Sequence, residues 1–156
     1  MVTRYFDGVV PDPEGHLGEA DQALRDTLRT ATQGAMQAME KFAIHEAIQS
    51  IWTIVDELNG YLTEQEPWVL AKSDDTRGRL AAVLYTAADG LRALAVLLSP
   101  VMPAATHKLW TALNAEEKLG PLEAQLLSEA GKSGVLSVGT AVGTLEPLFP
   151  RIESEA

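Results

Sequence analysis

Residues 43–62 read Ala43-Ile44-His45-Glu46-Ala47-Ile48-Gln49-Ser50-Ile51-Trp52-Thr53-Ile54-Val55-Asp56-Glu57-Leu58-Asn59-Gly60-Tyr61-Leu62, and their apolar positions decide the fold. Ile44, Ile48, Ile51, Val55, Leu58 and Leu62 step by 4, 3, 4, 3 and 4. Such steps line one face of a helix, and that face must be buried against another element. Leu80, Leu84, Ala87, Leu91, Leu94 and Leu98 repeat the same steps, and Leu24, Leu28, Ala31, Ala35 and Met39 mark a third stripe. A shorter apolar stretch runs from about Ala104 to Leu113. The pattern predicts an all-α fold: an antiparallel helical bundle with long helices near 20–40, 43–65 and 75–98, a shorter one near 104–114, and a less regular C-terminal tail. Trp52 adjoins the first stripe and Trp110 lies in the run Leu109-Trp110-Leu113, so both are expected in the core.

The breaks fall where Pro and Gly stand. Asp7-Gly8 and Pro11-Asp12-Pro13-Glu14-Gly15 form a loop, Pro67 ends the second long helix or starts a new turn, and Ser99-Pro100 and Pro103 close the third. Ser73-Asp74-Asp75 reads as a polar loop capping that third helix. Beyond Gly120 the texture changes: Pro121 to Ala130 suits a short helix, Gly131-Lys132-Ser133-Gly134 is a turn, and Val135 to Leu145 suits strand or coil. Two regions are therefore expected, a helical domain over 1–119 and a C-terminal extension and tail over 120–156. Leu148-Phe149-Pro150-Arg151-Ile152 follows a stretch without a helical stripe, so it is expected to be mobile or to dock on the bundle through Leu148 and Phe149.

Composition narrows the function. The 156 residues carry 12 Lys+Arg against 22 Asp+Glu, a formal net charge of −10. Indiscriminate phosphate binding needs a broadly basic surface, so a nucleic-acid contact here has to be local. Residues 1–66 hold 4 basic and 12 acidic side chains, whereas residues 67–114 hold 5 basic and 3 acidic, so the middle of the chain is mildly basic. There is no Cys, which excludes disulfides, thiolate metal sites and thiol nucleophiles. The N-terminus Met1-Val2-Thr3-Arg4-Tyr5-Phe6-Asp7 lacks the apolar core of a leader, and the apolar run Ala93 to Met102 is interrupted by Pro100 and too short to span a bilayer. The expectation is a cytoplasmic protein without a membrane partner.

Familiar catalytic patterns fail one by one. His45-Glu46 begins like a zinc-protease helix, but Gln49 stands where the second His belongs. Gly131-Lys132-Ser133 resembles part of a phosphate loop, but Leu126 occupies the earlier glycine position. His16, His45 and His107 lack metal-ligand spacing, and the pairs Asp56-Glu57 and Asp74-Asp75 are sequence neighbours that do not face each other on a helix. No catalytic residue and no metal site are expected.

The informative segment is Asn59-Gly60-Tyr61-Leu62-Thr63-Glu64-Gln65-Glu66-Pro67-Trp68-Val69-Leu70-Ala71-Lys72, a long helix ending in a Pro-Trp corner followed by a lysine. A Trp at such a boundary either packs inward as core or offers a face on which an unpaired base stacks, helped by nearby cations.

This segment, with its Asn-x-Tyr and Pro-Trp-x-Leu-x-Lys spacing, resembles the anticodon-binding helical domain of the methionyl-tRNA synthetases. The resemblance extends over nearly the whole chain. It includes Arg4-Tyr5-Phe6-Asp7-Gly8-Val9-Val10-Pro11, then Leu91 to Pro103 with its double-proline break, then Lys108-Leu109-Trp110 with Leu113-Asn114, and finally Leu148-Phe149-Pro150-Arg151-Ile152-Glu153. Pro-Trp-x-Leu-x-Lys alone is a weak sign, since the valine, isoleucine and leucine enzymes carry similar Trp-x-Leu-x-Lys segments; the Leu-Phe-Pro-Arg-Ile ending at this distance from Leu-Ser-Pro-x-Met-Pro is more particular to the methionine enzymes.

The resemblance implies a domain that binds the anticodon loop of methionine tRNA and reads its CAU triplet. Trp68 would stack on an anticodon base and Pro67 would fix the corner. Asn59 and Tyr61 would orient the corner or pack beneath it. Lys72 and Arg79 are added on charge alone, as attractors of flanking phosphates. The family's ATP and methionine signatures occur nowhere in the 156 residues. A C-terminal piece is thus expected, silent in catalysis and without a cofactor of its own. ATP would belong to the parent enzyme's catalytic domain, the second expected partner besides the tRNA, with no DNA partner. The family's asparagine and arginine base readers lie on a helix upstream of the segment that matches Arg4. The competing readings are an acidic helical protein–protein interaction module without RNA binding, which would hold a partner helix in an apolar groove, and a synthetase-like domain recruited to another task.

Overall fold

The computed structural model describes residues 1–149; the expectation for Pro150, Arg151 and Ile152 lies outside them. Three long helices make the bundle: α2 (Glu19–Glu40), α3 (Ile44–Gln65) and α5 (Arg77–Leu98). Short helices surround them: α1 (Val2–Tyr5), α4 (Pro67–Leu70), α6 (Pro103–Ala112) and α7 (Glu116–Leu119). Each long helix lies within a few residues of the span its stripe predicts, and among the described residues there is no strand.

α3 runs antiparallel to both α2 and α5. Asp21, near the start of α2, meets Tyr61, near the end of α3, and Thr86, in the first half of α5. α5 is buried all round, from Leu80 through Gly90 and again from Arg92 to Leu98, which makes it the axis of the fold. A window of this helix is apolar enough to cross a membrane, with mean hydropathy 1.5, but 94% of it is buried inside the protein. Its solvent is therefore the rest of the bundle. At Gly90 α3 and α5 approach closely, for a Cβ there would stand 2.9 Å from the Leu58 side chain.

Trp110 is fully buried, and its indole N–H donates to the Gly120 carbonyl at 3.1 Å. Trp52 corrects the expectation: it is 49% exposed. One residue along a helix turns the side chain by about 100°, so adjacency to Ile51 places Trp52 on the flank of the stripe. There it lines an apolar groove of about 240 Å³ with Val55, Leu91, Leu94 and Met102, and Leu148 and Phe149 of the tail line the same groove. Leu148 and Phe149 thus lie against the bundle, the docked alternative for these two residues, although the Phe149 ring stays largely exposed.

The segment after Gly120 is irregular, as expected, with two 3-10 turns at Leu122–Ala124 and Leu127–Glu129 in place of a short helix. Leu122, Ala130 and Leu136 nevertheless belong to the core cluster. The segment is held by polar anchors on α5. Asp89 accepts the amides of Gly134 (2.6 Å) and Leu136 (3.1 Å), while Arg92 donates to the carbonyls of Ala130 (3.0 Å) and Lys132 (2.6 Å). Val135 to Leu145 is coil, apart from a single antiparallel bridge between Val9 and Ala141.

Trp110→Ala should cost about 3–5 kcal/mol of unfolding free energy. Trp52→Ala, at a half-exposed site, should cost clearly less. Denaturant unfolding of the two variants against wild type measures both.

Candidate nucleic-acid interface

Helix α3 ends because Pro67 follows Glu66. A residue before proline is pushed out of the right-handed helical region, and Glu66 adopts the left-handed one, with φ 43° and ψ 58°. Its amide still bonds the Leu62 carbonyl at 3.2 Å, which caps α3, while Pro67 occupies the first position of α4. Pro67 is fully buried and Trp68 is 45% exposed. The corner thus has a buried hinge residue and a ring presented at the surface.

The loop after α4 folds back onto it. Thr76 Oγ1 donates to the carbonyls of Leu70 (2.6 Å) and Ser73 (3.0 Å), and the Ser73 hydroxyl accepts the Asp75 amide at 3.3 Å. Lys72 is exposed on this loop. Arg77, exposed at the start of α5, stacks over the Phe6 ring at 4.8 Å and donates to the Tyr5 carbonyl at 3.3 Å. It was not singled out from the sequence; its one signal was membership of the mildly basic middle of the chain.

Beneath the corner lies a buried polar cluster. The Asp21 carboxylate, 1% exposed, accepts Tyr61 Oη (2.5 Å), Thr86 Oγ1 (3.0 Å), the Gly18 amide (2.7 Å) and Arg79 Nη1. Arg79 also donates to Gln65 Oε1 (2.7 Å) and the His16 carbonyl (3.1 Å). Burial alone pushes the Asp21 carboxyl up. The hydrogen bonds from Tyr61, Gly18, Arg79 and Thr86 together outweigh it and hold the group below the ordinary carboxylate value. Burial, then the bond to Asp21, pushes the Tyr61 phenol up, so it stays protonated and donating.

The six residues singled out from the sequence therefore divide. Trp68 and Lys72 are exposed near one end of the bundle, with Pro67 buried behind them. Asn59 is exposed on α3, and among the described residues its side chain has no hydrogen-bond partner. Tyr61 packs beneath the corner, 5% exposed. Arg79 is committed to three protein acceptors, which leaves little of its guanidinium for a phosphate, contrary to the expectation from charge alone. Among the described residues no cluster of His, Asp and Glu is arranged to hold a metal.

This helical bundle has clear relatives. The family model described as the anticodon binding domain of methionyl tRNA ligase matches residues 10–156. The methionine–tRNA ligase of Streptomyces coelicolor is 43% identical over 158 residues, covering 99% of this chain and 29% of that enzyme. That of Caldanaerobacter subterraneus subsp. tengcongensis is 39% identical, covering 99% of this chain and 23% of the enzyme. The free-state crystal structure of Mycobacterium tuberculosis methionyl-tRNA synthetase superposes with a TM-score of 0.81 at 30% identity, over 99% of this chain and 30% of that one. The chain belongs to the anticodon-binding domain family of methionyl-tRNA ligase. It spans less than a third of the curated relatives it matches, and corresponds to their anticodon-binding part.

The buried carboxylate gives a pH prediction. An unfolded aspartate titrates near 3.8 and the folded Asp21 lower. Its stabilisation is therefore fully present above that pH and is lost as the pH falls through the folded value. Asp21→Asn should flatten the acid limb of stability. It should also cost up to about 3 kcal/mol at neutral pH, the lower end for breaking a buried pair, because Arg79 keeps a quarter of its side chain in water. Urea unfolding of both proteins from pH 7 downward tests this.

Proposed function

We propose that this domain binds the anticodon loop of methionine tRNA and reads its CAU triplet. It would do so for a methionine–tRNA ligase whose catalytic domain, outside these 156 residues, attaches methionine using ATP in the cytoplasm. The observation that carries the reading is the half-exposed Trp68 ring on the buried Pro67 hinge. An aromatic face held at a surface corner suits stacking of an unpaired base, which is how single-stranded RNA loops are bound.

In this reading Trp68 stacks on an anticodon base and Pro67 limits the backbone freedom of the corner. Tyr61 supports it from below through Asp21, and the exposed amide of Asn59 is available for a polar contact. Lys72 and Arg77 attract the flanking phosphates, and Arg79 holds the framework. The catalytic domain is the second partner. Alone, the chain carries out no chemistry and needs no ATP. The protein-interaction alternative draws on the apolar groove beside Trp52, but the chain's own Leu148 and Phe149 line that groove.

Base stacking on an aromatic side chain contributes roughly 1–3 kcal/mol. Trp68→Ala should therefore weaken binding of the anticodon stem–loop by about 5- to 150-fold, with little change in melting temperature. Fluorescence titration of wild type and variant, paired with thermal unfolding, is the measurement. Equal affinities, or a Trp68→Ala protein as unstable as Trp110→Ala, would overturn the assignment.

A further inference from the structure

We propose that the cavity between α2 and the Gly131–Gly134 loop binds a phosphate group, of the kind carried by a nucleic-acid backbone or by a free phosphoester. The cavity measures about 530 Å³. Arg25, Arg29 and Lys132 line it, with Asp26 as the single carboxylate among the lining residues. In a chain of net charge −10 this is a local inversion of sign. Arg29 bonds Asp26 at 2.8 Å and Lys132 pairs with Glu129. Half-buried Arg25 has neither an ion pair nor a side-chain hydrogen bond among the described residues. One positive charge at the wall thus has no direct ion-pair partner among the described residues, and it stands in the same lining as the hydroxyls of Ser128 and Ser133. The lining contains no aromatic side chain, so the chemistry suits an oxyanion and not a base.

The loop that completes the cavity is held in place from below. Arg92 grips the carbonyls of Ala130 and Lys132, and Asp89 grips the amides of Gly134 and Leu136. Gly131 permits the close seat on α2, since a Cβ there would lie 2.8 Å from Thr32 Oγ1 and 3.2 Å from the Arg29 backbone. A loop backbone fixed before the ligand arrives loses little conformational freedom on binding. Gly131-Lys132-Ser133 lacks the earlier glycine of a nucleotide loop, and the residues that face it across the cavity are on α2, about a hundred residues earlier. None of these residues belongs to the Pro67-Trp68 corner, so the two assignments stand or fall separately.

The test is a titration of the full 156-residue chain, labelled with 15N, with inorganic phosphate at constant ionic strength. The amides of Gly131, Lys132 and Gly134 and the Arg25 side chain should shift saturably. Arg25→Gln and Lys132→Gln should each weaken the effect about tenfold, the loss of one charge-assisted hydrogen bond. Arg29→Gln, at an exposed position, should weaken the effect as well, and the thermal unfolding of each variant checks that it is folded. A second titration uses an anticodon stem–loop RNA. Shifts of the same amides by the RNA assign the phosphate to a nucleic-acid backbone, and shifts by inorganic phosphate alone assign it to a free phosphoester. No saturable shift with either, or equal affinity in wild type and the Arg25→Gln/Lys132→Gln double variant, overturns the proposal.

Discussion

One buried carboxylate organises the end of this bundle that carries the Pro-Trp corner. Taking an aspartate out of water costs several kcal/mol unless its lone pairs are satisfied. Asp21 is satisfied by donors from three places: the loop before α2, the last turns of α3, and the first half of α5. Each donor fixes one element relative to the others. Arg79 extends the cluster to Gln65, the last residue of α3, and Gln65 is two residues from Pro67. The corner therefore inherits its position from a charge on another helix. An apolar core alone would leave α3 freer to slide along α5, since hydrophobic contacts are not directional.

A second buried pair does comparable work lower on α5. Asp89 and Arg92 bond each other at 2.8 Å, both about 4% exposed, and together they take four backbone groups of the C-terminal segment. That segment has no amphipathic stripe with which to dock. It is ordered instead because α5 offers a donor and an acceptor where its carbonyls and amides would otherwise be buried unpaired. α2 and α3 lie against α5 through their apolar stripes, whereas this irregular backbone lies there because its polar groups find partners on α5.

These two clusters also explain what was legible in the sequence. The long helices follow from local 4,3 spacing, and spacing is local information. The Pro67 break is local too, since a proline acts on its own backbone and on the residue before it. Trp110 lies on its helix's buried face, whereas Trp52 sits one residue off its stripe, and adjacency misled because a helix turns between neighbours. Arg79 reads as a phosphate contact only so long as Asp21, 58 residues away, is left out. Arg77 and Arg79 are two residues apart, yet one faces water and the other the interior, and nothing in their immediate neighbours distinguishes them. Residues whose role depends on a distant partner stay illegible until the bundle is assembled.

The charge distribution bears on how such a domain can recognise RNA at all. Lys72 and Arg77 stand near the corner, but so do Glu64, Glu66, Asp74 and Asp75, all exposed. At physiological ionic strength the screening length is about 8 Å, so a phosphate there feels this mixed neighbourhood and not Glu46 at the far end of α3, about 28 Å away at 1.5 Å per residue. Two cations against four carboxylates leave this neighbourhood net negative, so Lys72 and Arg77 can attract a phosphate only at close range. A stacked ring is indifferent to that balance, because the face of a base is uncharged. In the proposed reading the aromatic contact therefore carries the affinity, and it can do so only where the ring is already held in place. That requirement connects a surface tryptophan to a buried aspartate on another helix.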